Sequence, residues 1–305
     1  MLISVDHGNQ QIKLTGWRSF TSGLRESDYR PPFGEDFLKY HGSYYTLSNQ
    51  RIPYLRDKTS DNRFYILTLF AIGIKIEESG LYTDELIHIK LLVGLPPAHY
   101  GAQYERFQEY FTNGGIVEFE FRNKKFTICI DEVSAYPQAY AAAVTMYSQI
   151  RSYLKAVVID IGGFTVDYLI IKNGDADLSA CDSLECGVIT LYNQVIARVN
   201  SAKDMLLDDT DIDAILKGEA DHLREDVKTI VNSTAQIFIS DLVGKLRERA
   251  IDLRTSKAVF VGGGSILLRK QIEMSDKITS PIFIDNISAN AKGYEILYRV
   301  ARAKE

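Results

Sequence analysis

The chain has 305 residues, and its 46% hydrophobic content is ordinary for one large or two medium-sized globular domains. Its formal net charge of −5, with both signs mixed along the chain, argues against direct nucleic-acid binding over a broad surface, because such proteins carry a basic surplus. The N-terminal residues lack a signal-peptide pattern and no apolar stretch reaches the length of a membrane span, so we expect a cytoplasmic protein.

The three cysteines do not form the pattern of a metal site. Cys129, Cys181 and Cys186 contain no CxxC pair and lie far in sequence from any cluster of histidines. Metal sites built on cysteine need closely spaced ligands, so this spacing predicts reduced thiols in a reducing compartment.

The first half of the chain alternates strands and helices. Residues 2–6 and 11–15 are predicted to be two strands joined by the polar turn HGNQ, and residues 20–63 are irregular and tyrosine-rich, with a hairpin around HGSYYTLSN. The apolar spacing then predicts, in order, a helix in RFYILTLFAIGIKIEES, a strand in IHIKLLVGLP, a helix in AQYERFQEYF, paired strands in GGIVEFEFRNKKFTICIDEVSAYP and a helix begun by Pro137 in QAYAAAVTMYSQIRSYL.

Near residue 150 the pattern begins again. The stretch VVIDIGGFTVDYLIIKNG predicts a strand, a glycine bend and a second strand. Helices follow in GVITLYNQVIARVN, in the short acidic insert DMLLDDTDIDAILKG, in EDVKTIVNSTAQIFISDLVGKLRERA after it, and in SANAKGYEILYRVARAK with Ser288 as N-cap. SKAVFVGGGSILLRKQI predicts a strand, a glycine-rich turn and a helix, and PIFIDN predicts a strand. The chain is therefore expected to form two α/β halves with a ligand cleft between them.

Three glycine turns carry residues that could hold a phosphate, and the first is VDHGNQQIK. Asp6 ends a buried strand, Gly8 permits a sharp turn, and Lys13 returns on the partner strand. Backbone N–H groups in such a turn can surround phosphate oxygens, a lysine adds positive charge, and an aspartate can hold Mg²⁺ through water. An ordinary hairpin with a polar turn would show the same pattern.

The second glycine turn is stronger evidence for a phosphate site than the third. In DIGGFTVD, Asp160 and Asp167 stand on either side of a glycine bend between apolar strands, where neither carboxylate is expected to be buried. A plain hairpin needs no paired acids, so this pattern favours a site for phosphate and metal. The third turn, VFVGGGSILL, permits a close approach of backbone to a flat ligand but is weak evidence alone, and it does not match the GxxxxGK[ST] pattern of a P-loop.

The order of these motifs resembles the superfamily of actin, heat-shock chaperones and sugar kinases. Residues 2–14 are similar to its first phosphate loop, 157–167 to its second and 258–268 to its adenosine motif, while 137–150 and 289–303 are similar to its connecting helices. Within the superfamily the chain resembles the bacterial ParM-type plasmid-segregation actins. That resemblance rests on DHGNQQIKL, LLVGLPPAHY, the Pro137-Gln138 step, IDIGGFTVD, ECGVITL and VGGGSILL.

The resemblance implies an α/β fold of two actin-like (ribonuclease-H-like) domains that flank a nucleotide cleft. The first domain would comprise residues 1–150 and the C-terminal helix 289–305, with a small tyrosine-rich subdomain at about 20–63. The second would comprise residues 151–288, with a small helical insert at about 200–224.

The resemblance also implies a bound nucleotide, ATP or GTP, with Mg²⁺. Asp6 and Asp160 would hold the metal and its waters, and Asp160 and Gln138 are the implied catalytic residues. Gln138 stands where the family has a water-orienting Glu or Gln, and an amide suffices because this hydrolysis depends on positioning. The implied nucleotide-binding residues are Asp6, Gly8, Asn9, Gln10 and Lys13 in the first turn, Gly162, Gly163, Phe164, Thr165 and Asp167 in the second, and Gly187, Gly262, Gly263, Gly264 and Ser265 around the adenosine.

Two features of the implied site stay open. Family members often carry Ser or Thr in the first loop, where this chain has Asn9 and Gln10, so the hydrolysis rate and the choice between ATP and GTP are undecided. Asp131 and Glu132 are close enough in sequence to the water-orienting position to be alternative candidates for it. His7 occupies a variable position and is expected to be structural.

The function implied by the resemblance is that of a filament-forming ATPase of the bacterial cytosol that segregates plasmid DNA. The protein would assemble with itself into a helical filament and reach a centromere-like plasmid site through a DNA-binding adaptor, without direct contact to nucleic acid or membrane. Nucleotide state would act by opening and closing the cleft. The tyrosine-rich segment 29–54 is either a filament contact or a self-packed subdomain. A metabolic kinase of the same superfamily, a non-polymerising nucleotide-dependent scaffold and a membrane-bound actin relative stay open as alternatives.

Overall fold

The computed structural model divides the chain into two compact units, Met1–Thr145 with Ser288–Glu305, and Met146–Ile287. Each unit has its own sheet and hydrophobic core, and each is described by itself. The domain boundaries suggested by the sequence, at 150/151 and 288/289, stay predictions. The structure describes residues 1–16, 19–32, 36–53, 55, 57–81, 85–112 and 115–303.

Within the described residues, nine strands form the sheet of the first unit, in the order β3-β2-β1-β7-β9-β8-β5-β6-β4. The central strands β1, β7 and β9 are parallel neighbours, and β1 and β2 form an antiparallel hairpin. The first glycine turn therefore lies at the carboxyl edge of the parallel strands, which is where ligands bind in open α/β sheets. The strands are β1 (Leu2–His7), β2 (Gln11–Leu14), β3 (Phe20–Thr21), β4 (Leu24–Ser27), β5 (Phe37–Tyr40), β6 (Ser43–Leu47), β7 (Ile87–Leu95), β8 (Ile116–Phe121) and β9 (Lys124–Pro137).

The sheet of the second unit, as far as the structure describes it, has five strands in the order β12-β11-β10-β13-β14. Strand β10 pairs antiparallel with β11 and parallel with β13, so the second glycine turn and the glycine-rich turn after β13 lie at the same edge. The hairpin register sets Asp160 directly opposite Asp167. The strands are β10 (Lys155–Ile161), β11 (Val166–Lys172), β12 (Asp175–Leu184), β13 (Lys257–Val261) and β14 (Ile282–Phe283).

The helices pack on these sheets. α1 is apolar around its whole circumference, as LTLFAIGIKI indicates, and is accordingly buried in the core of the first unit. α7 instead buries one side, at spacings of three and four residues, in the core of the second unit. No helix in the described part of the chain is both long and apolar enough to span a bilayer. The helices are α1 (Arg63–Ser79), α2 (Pro97–Thr112), α3 (Tyr140–Val144), α4 (Tyr147–Ile150), α5 (Val188–Lys203), α6 (Asp209–Lys217), α7 (Glu225–Glu248), α8 (Gly263–Leu267), α9 (Arg269–Glu273) and α10 (Ala289–Arg302).

The predicted α/β architecture is confirmed, and most predicted elements occur within a few residues of their expected bounds. β5 and β6 form the hairpin expected around HGSYYTLSN, but β5 also pairs with β8, so the tyrosine-rich segment extends the sheet. β12 was not predicted, because DADLSACDSL is rich in aspartate and alanine, which are depleted in strands. Its pairing with β11, interrupted by a bulge between Leu169 and Ile170, fixes it instead.

The prediction that Pro137 begins a helix is wrong. Pro137 is the last residue of β9, and α3 begins only at Tyr140, after Ala139 has turned the chain with φ 59°. The alanine-rich stretch then forms two short helices rather than one, because α3 ends at Val144 and α4 is a separate turn. Ser288 precedes α10 as expected, but its side chain makes no capping hydrogen bond.

Candidate functional site

The first glycine turn sets a carboxylate beside an ammonium group. Asp6 is only 1% exposed and lies opposite Lys13 in the hairpin register, with Lys13 Nζ at 3.6 Å from Asp6 Oδ2. The Gly8 N–H donates to the Asp6 carbonyl at 3.1 Å, and a Cβ on Gly8 would overlap the Gln11 carbonyl. The turn is therefore compact, and glycine is the residue that permits it.

Hydrogen bonding in this turn leaves donors available. Ser22 donates from Oγ to the Gly8 carbonyl at 2.6 Å and from N–H to the Gln10 carbonyl at 3.0 Å. Among the described residues, the N–H groups of Asn9 and Gln10 find no backbone acceptor, and the buried Asn9 Oδ1 has no hydrogen-bond partner. Such N–H groups suit an anion, and the amide oxygen suits a water or a hydroxyl on the ligand.

His7 anchors the turn from the protein interior. Its ring is fully buried and stacks on Phe111 with centroids 5.3 Å apart, and Nε2 lies 2.7 Å from Thr68 Oγ1. The Thr68 hydroxyl donates its one proton to the Phe64 carbonyl, so Nε2 carries the imidazole proton and Nδ1 is the bare nitrogen. Lys58 donates to the His7 carbonyl. These are the contacts of a structural residue, as the sequence suggested.

Acid should destabilise the protein through His7. Burial, and secondly the charge of Lys58, lowers the pKa of His7 well below its ordinary value of 6.5. The unfolded chain therefore binds more protons than the folded chain below that pH, so the stabilisation is complete above pH 6.5 and is lost as the pH falls toward the folded pKa. We expect the difference in free energy of unfolding between the wild type and His7→Gln to shrink by about 1.4 kcal/mol per pH unit below about pH 6.

Denaturant unfolding between pH 5 and pH 8 measures this difference. His222→Gln is the matched control, because His222 is exposed in the second unit. A wild-type to His7→Gln difference that is constant over this range would contradict the assignment of a buried neutral imidazole.

Gln138 lies against the Asp6 carboxylate. Its side chain is buried, and Nε2 donates to Asp6 Oδ1 at 2.6 Å. A carboxylate in this contact accepts, so the amide nitrogen faces Asp6 and the amide oxygen faces away, where it can accept from a water. The alternatives Asp131 and Glu132 lie seven and six residues earlier along β9, roughly 20 Å away at the rise of a strand. Gln138 is therefore the one of these three that meets Asp6.

The two acids of the second turn are buried, contrary to the expectation from the sequence. Asp160 is 9% and Asp167 5% exposed. Asp167 accepts from the Ser183 hydroxyl on β12 and from Thr165 Oγ1, and the latter distance is 3.3 Å. The unpredicted strand β12 thus supplies the hydrogen bond that makes burial of this carboxylate possible.

The second turn is held by the first turn of α5. The first N–H groups of this helix donate at 2.9 to 3.0 Å to the carbonyls of Gly162, Gly163 and Phe164. A Cβ on Gly187 would overlap the Gly163 carbonyl, so Gly187 lies directly against this turn. With its carbonyls directed at α5, the turn keeps donors for a ligand: within the described chain the N–H groups of Gly163 and Thr165 have no backbone acceptor.

The three glycines after β13 have different surroundings. Gly262 has φ 90°, and a Cβ there would overlap the carboxylate of Asp160. Gly264 is buried, and a Cβ would lie 2.5 Å from two neighbouring side chains. Gly263 is exposed, and no described atom lies within 4 Å of its Cβ position. The Ser265 hydroxyl donates to the carbonyl four residues earlier, so it is used inside the protein.

Within each unit the structure therefore brings together residues that the resemblance implied would act together. A carboxylate at the end of a strand, beside a turn with available N–H groups, is the donor set that suits Mg²⁺ and phosphate, since Mg²⁺ binds through one or two carboxylates and keeps several waters. The first unit groups Asp6, Gly8, Asn9, Gln10, Lys13 and Gln138, and the second groups Asp160, Asp167, Gly187 and residues 162–165 and 262–265.

One residue near Asp6 was missed. The Tyr294 hydroxyl lies 3.4 Å from Asp6 Oδ1, although the two residues are 288 positions apart. The available signal was Gly94, a lone glycine inside the apolar strand LLVGLPP, which indicates a close approach by another group. A Cβ on Gly94 would overlap the Tyr294 hydroxyl.

Each unit matches a known family of actin-like proteins. Residues 4–140 match the family described as actin like proteins, N terminal domain, and residues 158–274 match the family described as archaeal actin homologue MreB-like, C-terminal. No curated protein matches the chain by sequence.

Solved actin homologues share the whole fold. Actin-like protein Alp7A has a TM-score of 0.76 and 14% identity, covering 100% of this chain and 98% of that chain. A 15-stranded ParM filament from Clostridium botulinum has a TM-score of 0.74 and 17% identity, covering 98% and 99%. The archaeal actin homolog Ta0583 in complex with ADP has a TM-score of 0.71 and 17% identity, covering 100% of both chains. Residues 4–140 and 158–274 thus match two actin-like family models in the order that the sequence motifs implied, and the chain has the fold of the actin homologues.

Proposed function

We propose that the protein is a filament-forming ATPase that binds ATP, or GTP, with Mg²⁺ and acts in plasmid DNA segregation in the bacterial cytosol. The observation that carries the proposal is the contact between Gln138 and Asp6 at the first glycine turn. It joins a water-orienting amide to a metal-binding carboxylate beside N–H groups that suit a phosphate.

The phosphates would be held by one turn from each unit. Asp6 and Asp160 would hold Mg²⁺ through its waters, and the chemistry that Mg²⁺ supplies when bound is neutralisation of charge on the phosphate oxygens. The N–H groups of the two turns would donate to those oxygens, and Lys13 would balance their charge. Asp167, buried behind the second turn, would support that turn rather than touch the ligand.

Gln138 would orient the water that attacks the terminal phosphate. Its nitrogen is engaged by Asp6, so the amide oxygen can accept a hydrogen bond from that water. A neutral amide is sufficient because phosphoryl transfer depends on positioning and charge stabilisation more than on a strong base.

The adenosine would lie over the glycine-rich turn. Gly263 offers the open backbone surface, whereas Gly262 and Gly264 are packed against the protein. The resemblance implied that Gly187 also lies beside the adenosine. Its contacts instead suit a role in supporting the second turn.

The nucleotide would control self-assembly into a helical filament. The solved ParM and Alp12 filaments have this fold, and head-to-tail contacts that do not close into a ring produce open polymers. Hydrolysis would change the affinity between subunits by changing which conformation is favoured. DNA would be reached through a DNA-binding adaptor at a centromere-like site, in keeping with the net charge of −5. The tyrosine-rich segment 29–54 is a candidate filament contact, and Tyr29 is 82% exposed.

Light scattering tests the proposed function. We expect scattering to rise after ATP and Mg²⁺ are added, to decay as ATP is consumed, and to stay low with EDTA. Asp6→Asn should abolish the rise, because it removes a charge from the metal site. Absence of polymer together with ADP release that depends on an added sugar would identify a kinase instead, and absence of both would contradict an ATPase filament.

A further inference from the structure

The last helix of the chain holds the turn that follows Gln138. Ala139 adopts φ 59° and ψ −52°, and the Tyr140 N–H donates to the Gln138 carbonyl at 2.6 Å, which together make a strained three-residue turn. The Ala139 N–H donates to Asn290 Oδ1 on α10 at 2.9 Å. Strain of this kind persists where surrounding contacts impose it, and it is concentrated at functional sites. α10 therefore fixes the backbone that carries Gln138.

Tyr294, one turn further along α10, reaches Asp6, the carboxylate that Gln138 contacts. It is fully buried, and its ring stacks on Tyr136 of β9 with centroids 5.8 Å apart. Gly94 of β7 lies opposite Tyr136 in the sheet and makes room for the phenol oxygen. The two strands thus form a slot that directs the hydroxyl at Asp6 Oδ1, 3.4 Å away.

The Asp6 carboxylate is consequently held on both of its oxygens. Oδ1 faces the Gln138 amide at 2.6 Å and the Tyr294 hydroxyl at 3.4 Å, and Oδ2 faces Lys13 at 3.6 Å. Groups that orient a metal-binding carboxylate typically affect metal affinity or activity by about 10- to 100-fold. Lys13 and Gln138 have proposed roles toward the ligand, whereas Tyr294 is fully buried and would affect the ligand through Asp6.

We propose that Tyr294 is a positioning residue, which fixes the Asp6 carboxylate, and through it the Gln138 amide, for a nucleotide bound with Mg²⁺. The C-terminal helix is then part of the site through the contact of Tyr294 with Asp6. The inference rests on the proposed function for the identity of the ligand, whereas the contact with Asp6 is present in the protein alone.

Tyr294→Phe removes one oxygen and keeps the ring that fills the slot. We expect the affinity for ADP in EDTA to stay within about twofold of the wild type, and the gain in affinity on adding Mg²⁺ to fall about tenfold. Tyr298→Phe is the matched control, because this tyrosine lies one turn further on the same helix and its hydroxyl donates to Glu132 at 3.1 Å. In Tyr298→Phe, Mg²⁺ should raise the affinity for ADP as much as it does in the wild type.

Melting temperatures of the ligand-free protein give a second readout. If the two side chains interact, Tyr294→Phe combined with Asp6→Asn should lower the melting temperature by less than the sum of the single changes, whereas Tyr298→Phe with Asp6→Asn should be additive. If Mg²⁺ raises the ADP affinity of the wild type and of Tyr294→Phe equally, this inference is overturned and the proposed function is left intact. If Mg²⁺ does not raise the ADP affinity of the wild type, both this inference and the proposed function are overturned.

Discussion

Replacing Gln138 with alanine is expected to slow ATP hydrolysis by about 100-fold, while the affinity for ATP measured in EDTA, without Mg²⁺, changes by less than about threefold. In the proposed mechanism the amide orients the attacking water and does not hold the phosphates, so its removal would act on the chemical step. Asp6 keeps its contacts with Lys13 and Tyr294 in the variant. Single-turnover phosphate release measures the rate, and titration with a fluorescent nucleotide measures the affinity.

Gln108→Ala is a suitable control for this change. Gln108 is a partly buried glutamine of the same unit, and its Nε2 donates to the Val133 carbonyl at 2.9 Å. Its replacement should leave hydrolysis unchanged. Filaments of Gln138→Ala should also persist longer than those of the wild type. Phosphate release at the wild-type rate in Gln138→Ala would remove Gln138 from the mechanism.

Replacing Gly187 with alanine is expected to weaken nucleotide binding at least tenfold and to destabilise the protein by about 1–3 kcal/mol, the range for overpacking a filled site. The added methyl would overlap the Gly163 carbonyl, so either the second turn or the start of α5 has to move. Movement of the turn redirects the N–H groups that are proposed to hold phosphate. Calorimetric titration with ADP and Mg²⁺, together with denaturant unfolding, measures both effects.

Alanine variants of two other glycines in the same unit distinguish an effect on nucleotide binding from an effect on stability. Gly263→Ala should fold like the wild type, since no described atom lies within 4 Å of the new methyl, and should bind nucleotide several-fold more weakly, since that space is proposed to receive the adenosine. Gly244→Ala, about one turn before the end of α7 and with similar open space, should bind normally and gain about 0.5–1 kcal/mol of stability. Equal binding by Gly263→Ala and Gly244→Ala would contradict the proposed position of the adenosine.

The elements that the sequence predicts well are those whose pattern is local. The apolar runs before Asp6 and Asp160 predict buried strands, the glycines after them predict turns, and LTLFAIGIKI predicts a buried helix. That the three glycine turns form one site is a prediction from their resemblance to actin-like proteins. No spacing in the sequence could establish it.

The features that escaped prediction depend on contacts between distant parts of the chain. Pro137 looked like a helix start, yet pairing of β9 with β7 carries the strand through it, and Asn290 holds the turn that follows. Burial of Asp167 depends on Ser183 in a strand whose residues have low strand propensity. The phenol of Tyr294 reaches Asp6 only because α10 returns to the first unit.

A crystal structure of the protein with ADP and Mg²⁺ would examine most directly whether the two glycine bends share one nucleotide. We expect the β-phosphate to accept hydrogen bonds from N–H groups at residues 8–10 and at residues 162–165, with water molecules on the metal contacting Asp6 and Asp160. A nucleotide that contacts one bend alone, or that binds away from both carboxylates, would contradict the proposed site.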